Sequence, residues 1–245
     1  MERAYRRAMQ PPDLVSCRVV VGETDLWLAA ECDLSARAGA RVRFYRRQLR
    51  AYMARDPHFV AALAPLPELP GAPPLVLRML AAGRAAGVGP MAAVAGAIAQ
   101  AVGEDLAAES AELVLENGGD LYLRSRRPRI AVIHAGASEL SGRLGLALPP
   151  CPDGMGVCTS AGTVGPSLSF GRADAATIVA QDAALADAAA TALGNRLRSP
   201  ADLEAAVAWA AELPGVRGAL AIMGSHLAAA GELELARIES VLGPG

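Results

Sequence analysis

Asp187 and Thr191 stand one helical turn apart in the run ADAAATA, 186–192, and almost everything around them is alanine. Side chains four residues apart on a helix project from one face, so their oxygens can converge. A carboxylate in so apolar a helix needs a partner. Two partners fit. A hard cation such as Mg²⁺ takes carboxylate, hydroxyl and water oxygens. An arginine is the rival, and the chain holds 23 cationic residues, every one of them Arg.

Three further segments could do chemistry. Glu116-Asn117-Gly118-Gly119-Asp120 lies between two apolar stretches. Asn-Gly and Gly-Gly are preferred in tight hairpins, and the same glycines let a ligand approach the backbone, with Asn117 and Asp120 at its edge. Cys158 to Gly165 (CTSAGTVG) interleaves the hydroxyls of Thr159, Ser160 and Thr163 with Gly162. Such a run suits a phosphate or ribityl chain, or else a solvated polar loop. Gly87 to Gly96 (GVGPMAAVAG) reads as an anion-binding helix start or as a tight turn before a closely packed helix. His134 and His226 read as half-buried strand residues or as bases.

The elements that must position these residues follow from periodicity and punctuation. Val15–Val21, a GETD turn and Leu26–Glu31 predict a β-hairpin, and Leu34–Arg55 a helix with Arg on its outer face. The Pro-rich stretch from Ala62 to Pro74 reads as an internal crossover within one domain, 1–245. Helices are expected at Leu75–Ala86 and Met91–Val102, then short strands at 112–116, 121–124, 129–134 and 141–148. A Gly- and Ser-rich section, Gly154 to Gly171, leads to a strand at Ala175–Ala180. A helix from about Ala183 to Leu193 has Asp182 as its N-cap and stops at Gly194-Asn195. A helix at 201–213 and strands at 217–223 and 232–238 close the chain. Local strand pairing with helices in blocks makes this an α+β protein of mixed, mostly antiparallel sheets rather than a wound βαβ fold.

Composition narrows the function. A net charge of −2 gives no pull toward nucleic acid or an anionic membrane. The absence of Lys excludes Schiff-base chemistry and a Walker-type phosphate-binding lysine. Cys17, Cys32, Cys151 and Cys158 form no CxxC pair, and Cys151 and Cys158 are expected as buried free thiols rather than a disulfide. The N-terminus lacks the apolar core of a signal peptide and no window of 18 residues is apolar throughout, so a cytoplasmic protein without a membrane span is expected.

The order of the four segments resembles the ApbE family, flavin transferases that take FMN from FAD and attach it to a Thr or Ser of an acceptor protein with Mg²⁺. ENGGDLYLR, TSAG and ADAAATALGN carry the likeness, and the wording of the chain as a whole is most similar to a bacterial and archaeal branch of ApbE-like proteins. The resemblance implies Asp187 and Thr191 as magnesium ligands. It places Gly118, Gly119, Asp120, Thr159, Ser160, Gly162 and Thr163 on the flavin nucleotide, FAD or FMN, and sets Ala93–Gly96 beside the metal. The family's A-K-G lysine has no counterpart here. Its H-x-x-D-P-x-T-G segment falls on GPSLSFG, Gly165–Gly171, without the His, Asp or matching Thr. Nucleotide binding is therefore expected to outlast the transfer reaction, which needs every positioned charge. A flavin carrier without catalysis and a ligand-free structural homo-oligomer are the alternatives.

Overall fold

The computed structural model describes Arg6, 11–161 and 171–238. Gly162, Thr163 and most of the segment matched to the family's His-containing motif lie outside these residues. Eleven strands form two sheets whose ladders are all antiparallel among the described residues. β1 (Val15–Val21), β2 (Thr24–Ala30), β3 (Leu113–Asn117), β4 (Asp120–Ser125), β7 (Cys151–Ser160), β8 (Ala175–Ala180), β9 (Val216–Met223) and β10 (His226–Gly231) build one eight-stranded sheet in that order. β5 (Arg129–Val132), β6 (Leu144–Leu148) and β11 (Glu234–Arg237) build a second sheet of three, ordered β11-β6-β5.

Helices α1 (Ser35–Arg55), α2 (His58–Ala61), α3 (Pro74–Ala86), α4 (Val94–Leu106), α5 (Ala183–Arg196) and α6 (Leu203–Ala211) cover one face of the large sheet. The small sheet covers the other, burying Leu123, Met155, Val157, Leu220 and Ile222 against Leu146 and Leu148. The central strands are thus covered twice, which is why AATIVA in β8 is buried at every position and shows no polar alternation. Along β9, Ala219 and Ala221 face the helices while Leu220 and Ile222 face the small sheet.

Several sequence expectations need correction. The Gly- and Ser-rich section beginning at Gly154 is strand as far as Ser160, the larger part of the ten-residue β7. Glycine there removes side chains that have no room, since a Cβ on Gly156 would stand 2.4 Å from Ala183 Cα. The helix α5 runs one residue past the expected stop at Gly194-Asn195, to Arg196, and Asp182 caps its start as expected, accepting from Leu185 N at 2.9 Å. α2 and β10 went unread because both are short and lack a clear period. The Pro-rich crossover packs closely, with Leu66 and Leu69 against the main core. Gly89 faces the Ala62 carbonyl at a distance that admits no side chain. His134 and His226 are exposed rather than half-buried, and His134 lies beyond β5. All four cysteines are free thiols. No helix among the described residues is long and apolar enough to cross a membrane.

Candidate functional site

Three elements meet where α4 begins, α5 begins and the β3–β4 hairpin turns. The hairpin uses the tightest connection available: Asn117 pairs with Asp120, and Gly118 and Gly119 between them take φ of 83° and 106°. Two successive positive φ values suit glycine alone at low strain, which explains the Gly-Gly. The pleat then turns Asn117 and Asp120 toward the helices, on the side of Leu115 and Tyr122. Both are buried. Asn117 Nδ2 donates to the Ala95 carbonyl at 3.0 Å, fastening the hairpin to the first turn of α4.

α4 has no side-chain cap of its own, because its N-cap is Ala93. Asp187 supplies one from α5. Its Oδ2 accepts from Gly96 N at 2.9 Å, and the Ala95 amide also bonds to it. The contact needs close backbones: a Cβ on Gly96 would stand 2.2 Å from the Ala183 carbonyl oxygen. Gln100, one turn along α4, accepts from Ala183 N at 2.6 Å and satisfies a first-turn amide of α5. The two helix starts therefore cap one another. Gln100 was not singled out from the sequence, though it is the one polar residue in the apolar run GAIAQAVG.

The electrostatics are those of an acidic pair. Burial pushes the Asp187 carboxyl well above the usual carboxylate range, and the nearby Asp120 carboxylate pushes it further, against the pull of the Gly96 and Ala95 amides. Cys158, on the same face of β7, donates to the Ala183 carbonyl at 3.4 Å. Burial raises its thiol far above the ordinary value, and Asp120 and Asp187 add to this, so it is no nucleophile. Thr191 follows Asp187 by one turn and is half-buried.

The residues expected on the nucleotide divide. Asp120 faces the helices and acts on Asp187, Gly118 and Gly119 form the turn before it, and Ser160 follows Cys158 by two residues on the helix side of β7. Thr159 turns the other way: its hydroxyl pairs with Thr177 Oγ1 at 2.9 Å, in register across β7 and β8. Only its backbone faces the turn, with the carbonyl 3.7 Å from the place a Gly119 Cβ would occupy. No arginine forms an ion pair with Asp187 among the described residues. Among those residues no three His, Cys, Asp or Glu side chains are grouped to hold a metal, so a cation here would rest on at most two carboxylates and neutral oxygens.

An all-antiparallel large sheet between helices and a small sheet, with an acidic pair where two helix starts meet a Gly-Gly hairpin, defines an ApbE-like α+β protein. The chain belongs to the family described as AbpE bacteria, which matches residues 6–228. Among its relatives, a UPF0280 protein of Methanocella arvoryzae is 49% identical over 189 residues, 77% of each chain. One of Methanopyrus kandleri is 44% identical over 203 residues, 81% of this chain and 80% of the other. The fold is shared with the flavinyl transferase ApbE of Pseudomonas stutzeri in its apo form, at TM-score 0.53 and 14% identity over 89% of this chain and 93% of that one. It is shared too with the flavin transferase ApbE of Vibrio cholerae, at TM-score 0.51 and 12% identity over 90% and 97%.

Proposed function

We propose that this protein binds a flavin nucleotide, FAD or FMN, together with Mg²⁺, at the meeting point of the Gly118-Gly119 turn, the end of β7 and the starts of α4 and α5. The observation that carries the reading is the approach of Asp120 and Asp187 within one poorly solvated corner, where each raises the cost of ionising the other. Hard oxygen donors fit Mg²⁺, which is commonly bound through one or two carboxylates plus phosphate oxygens of the ligand. Asp187 would hold the ion with Thr191 and neutral oxygens of the first α4 turn. The ion would supply positive charge against a diphosphate. The chain's own part is positional: the Gly-Gly turn leaves room for a ligand against its backbone, and Ser160 offers a hydroxyl on the same face. Transfer of FMN to an acceptor protein is expected to be weak or absent, since neither a lysine nor the motif histidine is available.

A second reading is favoured by one contact. Asp187 already has a partner in the N-terminal amides of α4, and its side-chain oxygen caps that helix whether or not a cation is bound. Asp187→Asn separates the two, because Asn caps about as well as Asp but carries no charge. Calorimetry with FAD, FMN and ADP, and thermal melts with and without MgCl₂, give the comparison. The proposed reading expects FAD binding by the wild type, a Mg²⁺-dependent rise in Tm, and loss of that rise in Asp187→Asn, with a smaller loss in Thr191→Val. An unchanged Mg²⁺ effect in Asp187→Asn would leave Asp187 as a cap only. Absence of heat with all three nucleotides would remove the flavin reading.

A further inference from the structure

Glu116 precedes the Gly-Gly turn and points away from Asp120, toward the opposite face of the sheet from Asn117. Its side chain is 1% exposed. Its two oxygens divide their work. Oε1 accepts from Gly119 N at 2.6 Å, inside the turn itself, and Oε2 accepts from Arg6 Nε at 2.5 Å. Arg6 is itself buried, at 8% exposure, and its remaining nitrogens are held by the β1–β2 hairpin. Nη1 donates to Asp25 Oδ1 and Nη2 to the Asp25 carbonyl, both at 2.7 Å. Asp25 is held in turn by Arg18. A chain of charged hydrogen bonds therefore runs from the first hairpin, through Arg6 and Glu116, to the amide of Gly119.

The turn would otherwise be loosely determined. Two adjacent glycines have the widest backbone freedom of any pair. Asp120 follows directly, so rotation within the turn moves its carboxylate. A carboxylate bonded to the turn's own amide removes that freedom, and a buried guanidinium, giving Nε to Glu116 and both Nη atoms to Asp25, fixes the carboxylate.

We propose that Glu116, braced by Arg6, is a positioning residue for Asp120, setting the shape of the Gly118-Gly119 turn and thereby the affinity of the site beside it. The affinity part rests on the nucleotide reading above; the turn part does not.

The test uses the full chain with glycine amides labelled for NMR. Without any ligand, Glu116→Ala should speed hydrogen exchange of the Gly119 amide about tenfold, the loss of one charge-assisted bond. Glu116→Gln keeps an acceptor for that amide and should restore most of the protection. Arg6→Gln should speed exchange by itself, and add nothing in the Glu116→Ala background, because the brace acts only through Glu116. Calorimetry with FAD and MgCl₂ should follow the same order, weakest in Glu116→Ala and largely recovered in Glu116→Gln. Equal Gly119 exchange in the wild type and Glu116→Ala overturns the proposal, as does Glu116→Gln behaving like Glu116→Ala in both measurements. If Glu116→Ala does not fold, Arg6→Gln read at the same amide decides it. A wild type that binds no FAD removes the nucleotide reading while leaving the exchange result to judge the turn.

Discussion

Gly96→Ala tests how tightly the two helix starts are locked. The methyl group would stand 2.2 Å from the Ala183 carbonyl oxygen, 2.8 Å from its carbon and 3.0 Å from Asp187 Cβ. Ordinary contacts lie near 3.5 Å, so α5 must retreat by about 1 Å. It has nowhere to go. Behind Ala183 is β7, where Gly156 already lies so close that its own Cβ would stand 2.4 Å from Ala183 Cα. Overpacking of this kind costs about 1–3 kcal/mol, and contact with backbone on both sides places it near the top of that range. Ala is a better helix former than Gly by about 1 kcal/mol, which offsets part of it. The net loss should be about 2 kcal/mol, or a Tm lowered by about 4–8 °C for a chain of this size. Urea and thermal unfolding measure it, and FAD binding with Mg²⁺ should weaken in parallel as Asp187 moves from Asp120. A Gly96→Ala protein as stable as the wild type would refute the idea that the crossing sets the site.

Gly118→Ala and Gly119→Ala should each lose about 1–2 kcal/mol in urea titrations, because φ of 83° and 106° strains any L side chain even where space exists. Arg129→Ala should destabilise by about 3 kcal/mol: it strips Glu112, whose side chain is 8% exposed, of a guanidinium at 2.7 Å and releases Asp13 as well. Stability should fall as pH drops below about 4, the ordinary carboxylate range. Hydrogen bonding to Arg18, with help from Arg6, holds Asp25 down; burial pushes Glu112 up, but Ser125, Arg129 and the Arg126 amide outweigh it. Both carboxylates therefore favour the fold while ionised, and Asp25→Asn should flatten the acid limb of a plot of urea midpoint against pH. Asp187 acts in the opposite sense, its raised carboxyl favouring the fold while protonated.

Much of the fold was readable along the chain because it is written in local terms. The first hairpin, α1, the Asp182 cap and β8 each depend on side-chain period or on a residue whose backbone preference is nearly unique. The same holds for the Gly-Gly hairpin and for the pairing of Asp187 and Thr191 on one helical face. Other features are properties of distance, which spacing in sequence does not encode. Composition left the stretch where β7 runs without a strand, since its glycines answer to Ala183 and Tyr122 across the layer and not to any local pattern. Thr159 sits among site-like residues in sequence yet shares its hydroxyl with Thr177, because alternation along a strand sends neighbours to opposite faces. The partner of Asp187 was framed as a cation, metal or Arg; the fold adds the amides of a helix start 91 residues earlier, which spacing did not suggest. Arg6 and Glu116 are 110 residues apart and meet beside Asp25, which the pairing of β2 with β3 brings next to Glu116. Local stereochemistry determined which elements form, and the burial of charge between layers decided which residues meet.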